Sequence, residues 1–458
     1  MVKKDYDNWS KTELVKELDK LIKRKKYGIV WEDKPEEVAE LCKEKLPVLE
    51  EDTKKEIKTD DKKSTNILIE GDNYHALSVL NYTHKGKIDV IYIDPPYNTG
   101  AKDWKYNNDY VDDVDMWRHS KWLSFMEKRI KLAKNLLKQS GFFIITIDHY
   151  ELFNIGALCD EIFGESNRVG VVTIIINPKG RQNARFFSAI GEYMLIYAKN
   201  EKVGEFNQVV LDEEVAASFN LEDKGGKYRL ENFINARTRT LRVNRPNHWY
   251  PIYVSKDFKK ITLDFNKDYY EVLPISANKE YSWKLIKESF RKKLKEEPDY
   301  FTSREERGKA VILHKFREQQ RLNNVWTDKR YFAEFHGTNV LKKILGKNIF
   351  NYPKSIWAVF DILKITSKED AVILDFFAGS GTTGHATLEL NKEDGGNRRF
   401  IVCTNNENKI CEEVCYPRIE KVMQGYNSAE GKVEDLGGNL KYFKTDFVDA
   451  EPTDKNKK

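Results

Sequence analysis

The stretch AVILDFFAGSGTTGHATLELN, from Ala371 to Asn391, decides the fold of this chain. It opens with an apolar run that is typical of a buried strand and closes with a pattern that is typical of a helix. Between them, Gly379, Gly381 and Gly384 fit the spacing G-x-G-x-x-G, which lets a backbone approach a ligand closely. A negative group is favoured where such a loop enters a helix. The stretch therefore predicts an α/β fold with a ligand-binding loop at the end of a strand.

Three interpretations of this loop compete. A dinucleotide enzyme needs an acidic residue at the end of the next strand, but here that strand ends in Asn405 and Asn406, with Glu407 slightly late. A phosphate-binding P-loop needs Lys and then Ser or Thr after the last glycine. His385 and Ala386 stand there instead, so this interpretation is rejected. A glycine turn with a purely structural role remains the third interpretation.

A second junction between a strand and a loop lies in DVIYIDPPYNTG, residues 89–100. Its apolar run is followed by Asp94, Pro95, Pro96 and Tyr97. The two prolines restrict the backbone, so a carboxylate and an aromatic ring are presented on one short, rigid loop. The motif alone is also compatible with an aspartate that caps a turn.

Further strand and helix signals surround the two junctions. Strand-like runs occur at NILIEGD, GFFIITID and GEYMLIYAKN, and apolar residues repeat at helical spacing from Trp122 to Leu137. This alternation predicts a doubly wound, mostly parallel sheet with helices on its faces. The pattern stops after Asn200 and resumes near Ile356, so an inserted domain is predicted to interrupt the fold.

Five segments are expected from these signals. The N-terminal arm begins with a capping-box pair, Ser10 and Glu13, and a charged linker follows between Glu50 and Asn66. The end of the chain, DAEPTDKNKK, has a composition that is typical of disorder. The expected segments are an arm with its linker at 1–60, the first half of the α/β domain at 61–200, the insertion at 201–335, the second half at 336–425 and a tail at 426–458.

Composition limits the class of protein. The 458 residues carry 78 basic and 73 acidic side chains, and this balance allows a local basic surface without requiring one. The five cysteines form an odd set without framework spacing, which predicts reduced thiols and no metal site. No apolar run fits a signal peptide or a membrane span, so we expect a cytoplasmic protein.

Together, the two loops resemble a known family. DPPY (Asp94 to Tyr97) followed by FAGSG (Phe377 to Gly381), each at the end of a predicted strand, is similar to the β class of amino-methyltransferases, which use S-adenosylmethionine. The stretches DPPYNTG, RPNHWYPIYV and LDFFAGSGTTGHATLELN resemble the modification subunits of type III restriction systems. The resemblance covers roughly residues 66–420. It implies a Rossmann-like methyltransferase fold and methyl transfer to the N6 amine of adenine in DNA, within a restriction-modification system.

The resemblance gives each residue of DPPY a role. The exocyclic amine of a base is a poor nucleophile because its lone pair is delocalised into the ring. The Asp94 carboxylate and the Pro95 carbonyl are expected to accept its two N–H bonds, and Pro96 is expected to hold the loop. The Tyr97 ring is expected to stack on a base that is extruded from the duplex. Stacking requires the ring of Tyr97 but not its hydroxyl, and methyl transfer by this route requires no metal.

The same resemblance implies contacts with S-adenosylmethionine in three segments. Asp72, after the strand at Ile67, is expected at the cofactor, with a helix N-cap as its alternative role. Asn405 stands where many relatives have a carboxylate for the ribose, and an asparagine can still accept a hydrogen bond. The other residues expected at the cofactor are Lys354, Ser355, Asp375, Phe377, Ala378, Gly379, Ser380, Gly381, Thr382 and Thr383.

The insertion is expected to recognise a DNA target. Its basic residues can neutralise phosphates or read base edges, although each of them is also compatible with a solvated surface. Double-stranded DNA, a second copy of the chain and a separate restriction subunit with nuclease and helicase functions are the expected partners. The residues expected to contact DNA are Arg237, Arg239, Arg242, Arg245, Lys315, Arg317 and Arg321.

Three other functions compete with adenine methylation. Methylation of cytosine N4 or of an RNA base would use the same two loops. A specificity subunit would bind DNA without methylating it, and the intact DPPY and FAGSG motifs argue against this role. A nicotinamide-dependent dehydrogenase would give residues 94–97 no purpose.

Overall fold

The computed structural model describes residues 9–15, 31, 35–60, 62–98, 118–180, 186–317 and 322–449. They divide into two compact units, Met1–Asn207 with Leu322–Lys458 and, separately, Gln208–Arg321. The second unit lies inside the stretch predicted as an insertion, 201–335, and is shorter at both ends. One reason is that Asn207 belongs to the first unit, where its backbone N–H donates to Ile365 O at 2.8 Å.

The first unit is built on one mixed sheet. Its described strands are β1 (Lys45–Glu51), β2 (Thr65–Glu70), β3 (Ile88–Ile93), β4 (Leu137–Ile147), β5 (Arg168–Ile175), β6 (Gly191–Ala198), β7 (Val325–Trp326), β8 (Val372–Asp375), β9 (Arg399–Thr404) and β10 (Asn439–Asp449). Their order across the sheet is β1-β10-β2-β9-β8-β3-β4-β6-β5-β7. β1 and β6 run antiparallel to their neighbours, and the other pairs are parallel. The structure thus confirms the predicted α/β class and its mostly parallel sheet.

Helices cover the sheet, as its apolar strands require. The predicted helix from Trp122 to Leu137 is found one turn longer at its start, and its buried Met126 and Ile130 join the same core as Phe143 of β4. The described helices of this unit are α1 (Glu37–Glu44), α2 (Asn73–Thr83), α3 (Arg118–Leu136), α4 (Leu152–Phe163), α5 (Asn339–Leu345), α6 (Ile356–Thr366), α7 (Thr382–Asp394) and α8 (Tyr416–Gln424). A short hairpin, Tyr426–Ser428 with Gly431–Val433, follows α8.

Two segments that were predicted to lie outside the α/β domain are strands of its sheet. β1 overlaps the predicted arm and linker, and β10 lies in the predicted tail. They pair antiparallel, with Lys45 opposite Asp449, and β10 also pairs in parallel with β2. The predictions of a linker and a tail are wrong for these residues. Strands near a sheet edge contact the core through few side chains, so their sequences show only a weak apolar pattern. Leu440 and Tyr442 of β10 are buried, while most of its charged neighbours stay accessible.

The start of the N-terminal arm has its predicted capping box. Ser10 N donates to Glu13 Oε2 at 2.9 Å, Glu13 N lies 3.3 Å from Ser10 Oγ, and residues 11–15 are helical. Residues 16–30 of the predicted arm and residues 450–458 of the tail lie outside the described residues. Within the described part of the chain, no helix combines the length and apolar character that crossing a membrane demands.

The second unit has an aromatic core of its own. Phe233, Trp283, Phe290 and Phe301 are buried together in it. Its largest sheet is antiparallel, in the order Phe301–Glu306, Lys309–Arg317, Gly226–Asn232 and Leu221–Asp223. The shorter strands are Ile234–Asn235, Ile252–Val254, Ile261–Thr262, Tyr270–Val272, Ile275–Ser276, Lys279–Glu280 and Ser282–Trp283, and the helices are Glu213–Ala217 and Lys287–Glu296.

Candidate active site

The two motif loops lie side by side at one edge of the sheet. β3 and β8 are parallel neighbours, with Leu374 opposite Ile91. Asp94 directly follows β3, and Asp375 is the last residue of β8. Because open α/β sheets bind their ligands outside the carboxyl ends of the strands, the fold brings the two predicted parts of the site together.

The Asp94 carboxylate is held through one of its two oxygens. Thr146 Oγ1 donates to Oδ1 at 2.8 Å, the Tyr97 hydroxyl lies 2.8 Å from the same atom, and Lys354 Nζ lies 3.2 Å from it. Among the described residues, every hydrogen bond to this carboxylate ends on Oδ1. The Asp94 side chain keeps 26% of its surface exposed, so Oδ2 is the oxygen that is left to accept from a bound group.

Tyr97 uses its hydroxyl as well as its ring. Besides its contact with Asp94, the hydroxyl oxygen lies 3.1 Å from Glu192 Oε2 and accepts from Lys354 Nζ. Burial raises the pKa of Tyr97 well above its usual value, and the Asp94 and Glu192 carboxylates add to the rise. The hydroxyl therefore keeps its proton and acts as a donor within this group of charged side chains, a role that the sequence analysis did not assign to it.

The second proline of the DPPY loop is anchored from α3, whereas the carbonyl of the first is left unpaired by the described residues. The Pro96 carbonyl accepts a hydrogen bond from Trp122 Nε1 at 2.8 Å, which fixes the loop on the helix. Pro95 is buried, and no group in the described part of the chain donates to its carbonyl. This carbonyl is therefore compatible with the acceptor role that was predicted for it.

Glu192 and Lys354 complete the cluster around the DPPY loop. Glu192, the second residue of β6, is buried, and its carboxylate forms an ion pair with Lys354 Nζ. Lys354 was predicted at the cofactor, but its ammonium contacts Asp94, Tyr97 and Glu192 instead. Glu192 does not stand out in the sequence because GEYMLIYA has the pattern of an ordinary strand. An acidic residue inside a buried strand was the one available signal, since a buried acid needs a partner.

The glycine loop is held by its own polar groups. Asp375 accepts from Phe377 N at 2.9 Å and from Thr383 Oγ1 at 2.5 Å. Gly379 and Gly381 have φ angles of 49° and 77°, in the left-handed region that only glycine adopts without strain. Burial raises the pKa of Asp375 to about 7, although its two hydrogen bonds oppose the rise. The predicted loop residues thus form one compact turn at the end of β8.

A buried arginine supports this loop from α8. Arg418 is fully buried and donates to Thr382 Oγ1 at 2.8 Å and to Ser380 Oγ at 3.1 Å. Ala378 N donates to Cys403 O at 3.0 Å, which ties the loop to β9. Because the side chains of Ser380 and Thr382 are turned toward Arg418, the loop offers a ligand chiefly its backbone. Nothing in the sequence around Arg418 distinguishes it from other helical arginines.

Unpaired polar atoms mark the end of β9, beside β2. Thr404 Oγ1 and Asn405 Oδ1 are buried and have no hydrogen-bond partner among the described residues. Asp72, just after β2, caps α2 by accepting from Tyr74 N at 2.7 Å, so its alternative role is present, yet 42% of its side chain stays exposed. A ligand that carries hydroxyl and amino groups would satisfy these atoms. The residues therefore fit a nucleoside-bearing cofactor such as S-adenosylmethionine.

Ser355 has a structural contact where a cofactor contact was predicted. Its hydroxyl donates to Arg330 O at 2.7 Å and accepts from Trp357 N at 3.3 Å, which caps α6. The side chain is 2% exposed. Because both hydrogen-bonding roles of the hydroxyl are used within the protein, the prediction for Ser355 is not supported.

Comparison with known proteins identifies the family. Residues 88–415 match the family described as DNA methylase, and this match spans most of the chain. The chain belongs to the DNA methylase family. The predicted resemblance to amino-methyltransferases is thereby confirmed.

This DNA methylase is 31% identical over 432 residues to the Mod subunit of the type III restriction-modification enzyme EcoPI of Escherichia phage P1, with 86% of the chain and 66% of the relative covered. It is 32% identical over 395 residues to the type II methyltransferase M.KpnI of Klebsiella pneumoniae, with 85% of the chain and 90% of the relative covered. The solved PvuII DNA methyltransferase (cytosine-N4-specific) aligns with a TM-score of 0.41 and 11% identity, over 78% of this chain and 86% of that one. The chain thus spans about two thirds of the EcoPI Mod subunit and most of M.KpnI.

The DNA methylase carries some of its predicted DNA contacts on an exposed part of the second unit. Arg237 and Arg239 are exposed, in a run of short 3-10 turns. Arg242 forms an ion pair at 3.1 Å within the unit, and Arg245 is half-buried beside a histidine. Arg321 lies outside the described residues. Arg237 and Arg239 are therefore the best placed of these arginines to meet a polyanion.

Lys315 and Arg317 have partners that the sequence did not indicate. Lys315 is 5% exposed and forms ion pairs with Asp223 at 2.5 Å and Asp299 at 2.6 Å. Arg317 forms ion pairs with Asp223 at 2.6 Å and Glu297 at 2.5 Å. Their charges are already balanced inside the unit, so the structure does not support them as phosphate contacts.

Proposed function

We propose that this DNA methylase transfers a methyl group from S-adenosylmethionine to the N6 amine of adenine in double-stranded DNA, in a restriction-modification system. The observation that carries the proposal is the state of Asp94. One of its oxygens is anchored by three groups and the other is left to accept, at the sheet edge where the glycine loop also lies. An acidic first residue in this loop favours adenine N6, by resemblance, over cytosine N4.

The site acts mainly by positioning and electrostatics. The cofactor supplies an electrophilic methyl group on a sulfonium. Asp94 Oδ2 and the Pro95 carbonyl accept the two N–H bonds of the target amine, which draws its lone pair out of the ring. The Tyr97 ring offers a stacking surface for the extruded base. The nucleoside end of the cofactor is assigned to Asp72, Thr404 and Asn405 because these residues carry exposed or unpaired acceptors.

The target is tested by transfer of a labelled methyl group from S-adenosylmethionine to duplex DNA and to structured RNA, followed by identification of the modified base. We expect label on adenine N6 in the duplex. Label on cytosine or on RNA would establish one of the competing methyltransferase functions. Binding of both DNA and cofactor without transfer would establish a specificity subunit.

Asp94→Asn tests the catalytic assignment with little change of shape. An amide keeps one acceptor oxygen but loses the charge, so we expect a loss of at least about 100-fold in transfer rate. The affinity for S-adenosylmethionine, measured by calorimetry, should stay within a few-fold of the wild type. Near-normal turnover of this variant would refute the role of Asp94.

The partners are proposed on similar grounds. Relatives that are named as Mod subunits of type III restriction-modification enzymes support a separate restriction subunit as a partner. M.KpnI, of which the chain spans 90%, is named as a type II methyltransferase and not as a subunit. A homodimer is the proposed state in solution. Analytical ultracentrifugation of the chain alone and with duplex DNA tests this proposal, and a purely monomeric species in both samples would refute it.

A further inference from the structure

The chemistry of the site points to two further residues. We propose that Lys354 and Glu192 are positioning residues for methyl transfer, whose ion pair holds Asp94 by one oxygen and turns its second oxygen toward the target amine. This inference rests on the proposed function and deepens it. It assigns Lys354 to the catalytic loop and gives a role to Glu192, a residue outside both motifs.

The geometry joins three separate parts of the chain. Lys354 Nζ can donate three hydrogen bonds, and it has three acceptors here: Asp94 Oδ1 at 3.2 Å, the Glu192 carboxylate and the Tyr97 hydroxyl. Glu192 comes from β6, Asp94 from the end of β3, and Lys354 from the segment before α6. The side chains of Lys354 and Glu192 are 12% and 3% exposed, so solvent screens this cluster weakly.

The charges of the cluster depend on one another. Two carboxylates that share a site do not both ionise readily unless a cation lies between them. Burial raises the pKa of Glu192 and Asp94 adds to the rise, while Lys354 opposes it. Burial alone would lower the pKa of Lys354, but Asp94 and Glu192 together raise it above its ordinary value. Lys354 therefore stays protonated and places one positive charge between the two acids.

Other titratable groups also face Asp94. Tyr92 on β3 is fully buried, which raises its pKa well above the usual value, and Tyr97 behaves in the same way. Asp375 on β8 has a pKa near neutrality, at about 7. The two tyrosines are neutral over the working pH range. The positive charge that contacts this carboxylate comes from Lys354.

A negative charge beside the target amine suits the reaction. The amine lone pair forms the new N–C bond while the electrons of the S–C bond pass to sulfur, so positive charge moves from sulfur to nitrogen. The proton then leaves the amine for Asp94 and passes on to water. With Lys354 removed, the cluster would carry two uncompensated negative charges, and proton uptake by a carboxylate would relieve them. A protonated carboxyl group is a poorer acceptor for the amine than a carboxylate is.

The test is the pH dependence of single-turnover methyl transfer to duplex DNA between about pH 5.5 and about pH 9. Lys354→Met should slow the reaction at least about tenfold near pH 7. It should also move the acid limb of the pH–rate profile, where the rate falls toward low pH, to a pH about one unit higher. Lys354→Arg, which keeps the charge, should retain the position of that limb. The double variant Lys354→Met with Glu192→Gln leaves a single carboxylate, so its limb should return toward the wild-type position.

Controls separate this idea from a structural effect and from the proposed function. Lys138→Met breaks an ion pair with Asp89 at 2.7 Å, away from the site, and should change neither rate nor limb. An unshifted limb in Lys354→Met, or a double variant no closer to the wild type, would overturn the inference while the proposed function stands. Wild-type protein that transfers no methyl group to DNA would overturn both. Thermal unfolding of each variant identifies any loss that comes from the fold.

Discussion

Removing the hydroxyl of Tyr97 is a sharp test of the active-site cluster. The sequence alone predicts that only the ring matters, so Tyr97→Phe should be nearly silent. In the structure, the hydroxyl lies 2.8 Å from Asp94 Oδ1 and 3.1 Å from Glu192 Oε2. A hydrogen bond to a charged group contributes about 1.5–3 kcal/mol. If Asp94 is correctly placed only with this bond, Tyr97→Phe should slow methyl transfer by about 10- to 150-fold.

The affinity for DNA separates the hydroxyl from the ring. Tyr97→Phe keeps the aromatic face, so its DNA affinity should stay near the wild-type value. Tyr97→Ala should lose a further 1–3 kcal/mol or so of stacking on the extruded base. Tyr97→Trp should behave like the Phe variant, since it keeps a ring without the hydroxyl. Tyr82→Phe, at a site that is 77% exposed, is the matched control.

Rapid-quench single-turnover assays measure the rate, and fluorescence anisotropy measures the affinity for DNA. With 2-aminopurine at the target position, a rise in fluorescence on binding reports extrusion, and this rise should persist in Tyr97→Phe. A rate for Tyr97→Phe within about twofold of the wild type would refute the role of the hydroxyl. It would leave Tyr97 with the stacking role alone.

Three further predictions concern other parts of the chain. Burial raises the pKa of Asp375 from 3.8 to about 7, so the folded state holds this proton more tightly than the unfolded state does. The free energy of unfolding of the wild type therefore falls as pH rises between these values. Relative to the wild type, Asp375→Asn should gain about 1.4 kcal/mol of stability per pH unit in this range. Gly381→Ala should lower the free energy of unfolding by about 1–2 kcal/mol and weaken cofactor binding, because φ is 77° and a Cβ would lie 3.2 Å from Cys415 Sγ. Arg239→Ala should weaken DNA binding and reduce its salt dependence, whereas Lys315→Ala should mainly destabilise the second unit, by roughly 1.5–3 kcal/mol.

Urea unfolding across pH, calorimetry with S-adenosylmethionine and salt titrations of DNA binding measure these effects. A pH-independent difference between wild type and Asp375→Asn would contradict the first prediction. Unchanged stability of Gly381→Ala would contradict the second. The third fails if Lys315→Ala weakens DNA binding at full stability, or if Arg239→Ala binds DNA as the wild type does.

Local motifs were predictable from the sequence, and side-chain partners that lie far apart in it were not. The DPPY and glycine loops follow from short runs whose residues act together, so Asp94 and Gly381 could be located in advance. The partner of Lys354 is Glu192, 162 positions away, and only the antiparallel placement of β6 beside β4 brings that acid to the site. Lys315 was misinterpreted for the same reason, since its partner Asp223 is 92 positions away.

The glycine substitution shows a related limit. In the sequence, Gly381 belongs to a spacing that lets the backbone approach a ligand closely, which would place a substituted side chain on the ligand side of the loop. In the structure, a Cβ there would point instead toward Cys415 and Ile419, inside the protein. The φ angle of 77° favours glycine at this position, but the direction of the missing Cβ depends on how α8 packs behind the loop.

The strand order of the sheet makes the part of the chain before the second unit and the part after it depend on each other for folding. β1 to β6 precede the second unit and β7 to β10 follow it, yet across the sheet they alternate as β1-β10-β2-β9-β8-β3. A protease that nicks the backbone between Gln208 and Arg321 would therefore leave two fragments clasped strand to strand. Two polypeptides that are made from separate genes and divided at the same place would have to associate before the sheet could be complete. The methylase can thus be redesigned as a split enzyme that is inactive until its two fragments associate.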